Sequence, residues 1–195
     1  AEPGETVVDL CACPGGKSFG AAIRMEDRGR VLSFDLHPSK LPLIGSGAAR
    51  LGLTCITVGE QDATAPDPAL AGIADRVICD VPCSGLGVLS KKPDLRYKDL
   101  RAADELPALQ GAILESAAAC VRAGGVLLYS TCTVNPGENE AVTDAFRAAH
   151  ADFTPEDFTV GALSSVEGRL TLYPHRHGTD GFYLAKFRKS GKENA

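Results

Sequence analysis

The chain has 195 residues, a length that suits one domain. Hydrophobic residues make up 44% and charged residues 23%, which excludes wholesale disorder, and no apolar run is long enough to span a bilayer. The net charge of −5 is uneven: residues 91–101 and 169–195 are basic and the remainder acidic, a pattern that suits a polyanionic partner and no membrane.

The chain opens at Ala1-Glu2-Pro3-Gly4, with no initiator Met and no leader, and reads as a domain cut from a longer protein. Thr6–Leu10 is the first expected strand. A glycine-rich turn then leads into a helix. Arg30–Asp35, Thr54–Val58, Asp75–Asp80 and Gly125–Ser130 follow as strands two to five. These runs are apolar on both faces, as parallel strands covered by helices are. Leu106, Leu109, Ile113, Leu114, Ala117 and Val121 recur at helical spacing, and Gly124-Gly125 is expected to stop that helix. Pro136-Gly137-Glu138 opens another helix reaching about His150. Leu170–Tyr173 and Phe182–Phe187 flank a polar turn and predict a closing antiparallel hairpin. The alternation predicts an α/β doubly wound domain over residues 1–188, with 189–195 as a tail.

Ligands of such sheets bind outside the carboxyl ends of the strands. The first strand is followed by Cys11, Ala12, Cys13, Pro14, Gly15, Gly16 and Lys17, a turn whose backbone can approach a ligand closely. It lacks the glycine of a Walker loop and the spacing of a dinucleotide loop. Asp35 lies 20 residues after Gly15, where a carboxylate grips ribose hydroxyls, and Asp62 and Asp80 follow the next two strands. Together they suit a nucleoside-containing cofactor. Cys83 and Cys132 sit in polar loops after strands four and five, so two thiols face one cleft. Cys55, Cys79 and Cys120 lie in apolar runs and read as core. Seven cysteines without a CxxC pair suggest reduced thiols in a cytoplasmic protein, and neither Cys11-x-Cys13 nor Cys79-x-x-x-Cys83 has metal-ligand spacing.

DLCACPGGKS, DVPCSGLG, YSTCTVNPGENE and PHRHGTDGFYLAKF occur in the order found in the Sun-type RNA cytosine-5 methyltransferases, and the stretch KKPDLRYKDL between the cysteine motifs is similar too. The chain resembles that family over essentially its whole length, most closely the bacterial small-subunit ribosomal RNA enzymes. Cys13 stands where the family usually has Ala, and Lys40 and Lys92 where Arg is common. The resemblance implies a Rossmann-like class I methyltransferase fold. It also implies a mostly parallel seven-stranded sheet with helices on both faces and an antiparallel C-terminal strand. The implied cofactor is S-adenosylmethionine, held by residues 11–17, Asp35, Asp62 and Asp80. By the same resemblance Cys132 is the nucleophile, Cys83 assists product release and Asp80 meets the cytosine edge. Sequence chemistry alone leaves either thiol open, since DNA cytosine methyltransferases use the one in the Pro-Cys motif. RNA contacts are expected from Lys91, Lys92, Arg96, Lys98 and Arg101, with Arg176 and Arg188 as secondary contacts. The family's N-terminal RNA-binding region and the segment before the first strand are expected to lie outside this chain. A monomer acting on RNA without a metal is the implied form. A methyltransferase of another class and a non-catalytic RNA-binding scaffold are the alternatives.

Overall fold

A computed structural model describes residues 1–65, 67–97 and 104–191. Its elements begin β1 (Thr6–Asp9), α1 (Gly16–Arg24), β2 (Arg30–Asp35), α2 (Leu41–Leu51), β3 (Ile56–Glu60) and β4 (Ala74–Asp80). They continue α3 (Leu106–Cys120), β5 (Val121–Thr131), α4 (Glu140–Ala149), β6 (Phe153–Pro155), β7 (Thr159–Val160) and β8 (Leu163–Ser164). β9 (Arg169–Leu172), α5 (Pro174–His177) and β10 (Phe182–Lys189) close the chain.

The eight-stranded sheet has the order β3-β2-β1-β4-β5-β10-β6, with β9 also paired to β10. The first five strands are parallel and β10 runs antiparallel to β5. β9 takes Phe182–Ala185 of β10 and β6 takes Phe187–Lys189, so two short strands share one lane. The sheet therefore has the expected seven-strand width with one strand more. β7 and β8 form a separate hairpin.

Alternate strand residues feed two cores, as the pleat requires. Val7 and Val31 pack with Ala21 and Ala22 of α1 and with Met25, which follows it. Val8, Val77, Leu127 and Tyr129 pack with Ile113, Leu114 and Ala117 of α3 and with Val142 and Phe146 of α4. Helices thus cover both faces and leave the carboxyl ends of β1, β2, β4 and β5 on one rim.

Several boundaries differ from the sequence reading. The third strand begins at Ile56 rather than Thr54, because the Asp27 carboxylate takes the N–H groups of Thr54 and Cys55, each at 2.9 Å. Gly124-Gly125 does not stop α3. The helix ends at Cys120, Val121 already pairs with Ala74, and residues 122–125 bulge before Val126 meets Arg76. A Cβ on Gly125 would lie 2.9 Å from the Ala74 carbonyl oxygen, so the glycine is required by this close approach. The fourth helix starts at Glu140 rather than Pro136, because residues 135–139 form a turn in which Asn135 O and Pro136 O accept the N–H groups of Glu138 and Asn139. Of the expected tail, Lys189 ends β10 and residues 192–195 lie outside the described residues.

Candidate active site

The turn after β1 is built by its glycines. Gly15 has φ 109°, a left-handed conformation, and its N–H donates to Ala12 O at 2.6 Å. A Cβ there would strike the Phe19 ring at 2.3 Å, and one on Gly47 of α2 would strike it at 2.5 Å, so Phe19 fills a slot that both glycines open. The Ala12 N–H donates to Phe34 O at 2.8 Å and ties the turn to β2. A Cβ on Gly16 would meet no protein atom within 4 Å. Backbone there fronts a cavity of about 220 Å³, lined by Asp9, Cys11–Pro14, Gly16, Lys17 and Asp80.

Lys17 and Asp80 meet across this cavity, Nζ to Oδ2 at 2.5 Å, and Ser130 Oγ donates to Asp80 Oδ1 at 2.6 Å. Sequence reasoning did not single out Asp9. It is 1% exposed, its Oδ2 accepts from Ser18 Oγ at 2.7 Å, and its Oδ1 has no partner among the described residues. Burial raises its carboxyl to about 6, with Asp80 adding to the shift and Ser18 and Lys17 opposing it. Its signal in the sequence is its place as the last strand residue before the glycine turn.

A second cavity of about 140 Å³ adjoins the first at Cys11 and is lined by Asp35, Leu36, Lys40, Asp62, Leu109 and Ile113, among others. Asp35 accepts the His37 N–H at 3.0 Å, with Lys40 Nζ 3.8 Å away. Asp62 is exposed at the edge, where Thr64 donates N–H and Oγ to it at 2.9 and 2.7 Å and holds its carboxyl below the usual range. Leu36 and Leu109, 53% and 38% exposed, form apolar walls of this slot. The two cavities, with a carboxylate in each and an orphaned acceptor in one, have the parts a nucleoside joined to an amino acid requires. A groove of about 410 Å³ between α3 and α4 is lined by none of the candidate catalytic, cofactor or RNA-contact residues.

The two loop thiols converge. Cys83 and Cys132 sulfurs lie 3.1 Å apart, and the Cys132 N–H donates to Cys83 Sγ at 3.3 Å. The Cys83 hydrogen bond is the main cause that lowers the Cys132 thiol to about 7, helped by Lys92 and opposed by burial and Asp80. The same contact and burial push the Cys83 thiol up. Either sulfur can donate in this contact, and the opposite shifts favour Cys132 as the thiol that ionises first. Cys11 is pushed up to about 12 by burial, and Cys13 is also raised by burial, so neither shares this activation. Gly87 closes the cleft wall: its N–H donates to Cys132 O at 3.0 Å and its carbonyl accepts from Gly181 N–H at 2.7 Å.

Residues 91–97 of the basic segment lie beside these thiols. Leu95 packs on Gly85, where a Cβ would meet its Cδ1 at 2.9 Å. Lys91, Lys92 and Arg96 are exposed, and Lys91 pairs with Asp180 at 2.5 Å, which joins this loop to the one after α5. Exposed Arg176 of α5 stacks over Tyr173 at 5.4 Å, just before that second loop. Lys98 and Arg101 lie outside the described residues. Arg188 does not join the site: it pairs with Glu156 and sits opposite Val126, toward the other end of β5 from Thr131. Among the described residues, no group of three His, Cys, Asp or Glu side chains is placed to hold a metal.

A family model described as 16S rRNA methyltransferase RsmB/F matches residues 1–188. The probable ribosomal RNA small subunit methyltransferase B of Synechocystis is 43% identical, over 97% of this chain and 44% of that protein. The crystal structure of PH0851 is 35% identical with a TM-score of 0.90, covering 96% of this chain and 43% of the other. NSun6 from Pyrococcus horikoshii, solved with SFG, is 31% identical with a TM-score of 0.81, covering 95% and 48%. The chain therefore spans less than half the length of these relatives.

Proposed function

The chain belongs to the 16S rRNA methyltransferase RsmB/F family, and from that premise we propose that it methylates C5 of a cytosine in small-subunit ribosomal RNA. The observation that carries this reading is the Cys83–Cys132 contact at 3.1 Å, beside the cavity that holds Lys17 and Asp80. Methylation on oxygen or nitrogen has no need of two loop thiols, whereas cytosine C5 is too weak a nucleophile without covalent activation.

S-adenosylmethionine supplies the methyl group when bound. Asp35 takes the ribose hydroxyls, Leu36 and Leu109 wall the adenine, and Asp62 lies at the slot's edge. The backbone of the turn 11–17 would hold the methionine portion, and Asp9 Oδ1, which has no partner among the described residues, would accept from its ammonium. The target cytosine leaves any stack to reach the thiols. Cys132 thiolate adds to C6, the ring electrons move to C5, and C5 takes the methyl group. Water takes the C5 proton, the C5–C6 double bond re-forms and the bond from C6 to Cys132 breaks, which returns the thiolate. The hydrogen bond from Cys83 favours Cys132 as the attacking thiolate and leaves Cys83 holding a proton for product release. Asp80 keeps lone pairs free beyond Lys17 and Ser130 to meet the cytosine N3/N4 edge. Lys91, Lys92 and Arg96, with Lys98, Arg101 and Arg176, contact the RNA backbone.

The experiment is tritium release. Ribosomal RNA transcripts carrying tritium at cytosine C5 are incubated with the protein and S-adenosylmethionine. Release of tritium to water in step with methyl transfer supports the reading. Methyl transfer without release overturns it.

A further inference from the structure

We propose that Glu138 is a positioning residue that ties the two thiol loops together, and that the reactivity of Cys132 depends on this tie. The proposal rests on the reading of Cys132 as the nucleophile.

Glu138 is 0% exposed, yet it carries a carboxylate. Burying such a group is costly unless every lone pair finds a donor. Four donors meet it, two on each oxygen. Oε1 accepts from Ser84 Oγ at 2.5 Å and Asn135 Nδ2 at 3.0 Å, and Oε2 from Ser84 N–H at 2.8 Å and Gln110 Nε2 at 3.0 Å. Their positions matter more than their number. Ser84 follows Cys83, and Asn135 lies three residues after Cys132. Gln110 of α3 also donates to Pro82 O at 2.9 Å, so Cys83 is fixed on both sides. Ser84 Oγ and Thr133 Oγ1 lie 2.8 Å apart and link the residues that follow each cysteine. Glu138 is itself anchored to β5, where Tyr129 OH donates to its carbonyl at 2.6 Å. One side chain thus spans the Pro-Cys loop, the Thr-Cys loop and α3, and the thiol contact lies between its attachment points.

Packing alone would be served by an apolar residue. Bonds to an ionised acceptor are stronger and more directional than neutral ones, which suits a part that must hold two sulfurs in register. Without the tie the loops keep the Ser84–Thr133 contact, the Gly87 hydrogen bond and the bond from Cys132 N–H to Cys83 Sγ, and Cys83 has more room to shift away from the Cys132 sulfur. The groups that face Cys132 are the Cys83 thiol, Asp80 and Lys92, and a Glu138 substitution alters none of them directly.

The test uses this chain without RNA. Iodoacetamide alkylation of the Cys132 peptide is followed by mass spectrometry across pH, and dibromobimane reports whether Cys83 and Cys132 can be bridged. In the wild type Cys132 should titrate near 7. In Glu138→Ala the midpoint should rise by about one pH unit or more, and bridging should fall several-fold, once Cys83 no longer donates. Glu138→Gln keeps an acceptor for Ser84 N–H and Gln110, and Ser84 Oγ can turn its hydrogen to Thr133. It should restore most of both signals. Thermal unfolding identifies a temperature at which each variant is folded. A folded Glu138→Ala with wild-type midpoint and bridging overturns the proposal. Should that variant not fold, Gln110→Met removes one donor and the Pro82 tie. It should move both readouts the same way, and no movement overturns the proposal. If both readouts respond while tritium release fails, the cytosine-5 reading falls and the positioning role stands.

Discussion

Replacing Asp9 with Asn isolates the one acidic group at the site that burial turns against ionisation. The Asp9 carboxyl is 1% exposed and is raised from 3.8 to about 6. The folded chain therefore binds this proton more tightly than the unfolded chain. The stability it contributes is fully present below pH 4 and is lost as pH rises through 6. A gap of about two pH units, at 1.36 kcal/mol each, amounts to about 3 kcal/mol. Other carboxylates titrate in the opposite sense. Glu156 is held down to about 2 by Arg188 and then Lys186, so the whole-protein curve hides Asp9. Asp9→Asn keeps an acceptor for Ser18 Oγ and cannot ionise. Urea unfolding of both proteins from pH 4 to 8 should show the variant gaining on the wild type by up to about 3 kcal/mol, with the change centred between pH 4 and 6. A bound ammonium on Oδ1 would offset this cost. S-adenosylmethionine affinity of the wild type should then rise through pH 6, while that of the variant stays flat. Parallel unfolding curves for the two proteins would refute the burial reasoning, and parallel affinity curves would remove Asp9 from the cofactor site.

Asp35→Ala should weaken S-adenosylmethionine binding by about 1.5–3 kcal/mol for each charge-assisted bond lost, read by titration calorimetry. An unchanged affinity would leave Asp35 only as the acceptor of the His37 N–H. Gly87→Ala places a Cβ 2.0 Å from Gly181 O and 2.8 Å from Cys132 O, both backbone atoms. It should cost about 1–3 kcal/mol in urea unfolding and reduce alkylation of Cys132; full retention of both would show the cleft wall to be pliable. Lys92→Ala removes a cation that lowers the Cys132 thiol. The alkylation midpoint should move up, and the salt dependence of RNA binding should fall by about one unit of slope.

The sheet was legible where strands are long and apolar on both faces. β2 was read at its full extent, and β1 and β4 to within one residue at an end. The short strands β6, β7 and β8 were not read, because two or three residues carry no periodicity. Gly124-Gly125 misled because a glycine pair after a helical face looks like a stop, whereas here it makes room for a neighbouring carbonyl oxygen. At the site, Cys11–Lys17, Asp35 and Asp80 were legible because strand ends of this sheet class carry ligands. That two thiols face one cleft followed from the adjacency of β4 and β5, and only the fold shows their contact at 3.1 Å. Asp9 was missed because the first strand reads as running to Leu10, which leaves Asp9 inside it rather than at its carboxyl end. The role of Glu138 was missed because in sequence an acid between Gly and Asn reads as surface, and only the fold shows it facing inward. Arg188 was placed with the RNA contacts by charge alone, and strand direction sets it at the far end.

The adduct between protein and RNA tests the central claim most directly. The wild type, Cys132→Ala and Cys83→Ala are incubated with small-subunit ribosomal RNA and S-adenosylmethionine and run on a denaturing gel. Cys132→Ala cannot bond to C6 and should show no adduct. Cys83→Ala retains the nucleophile but resolves the product slowly, and should accumulate protein covalently bound to RNA. An adduct formed by Cys132→Ala and lost in Cys83→Ala would contradict the assignment of Cys132 as the nucleophile.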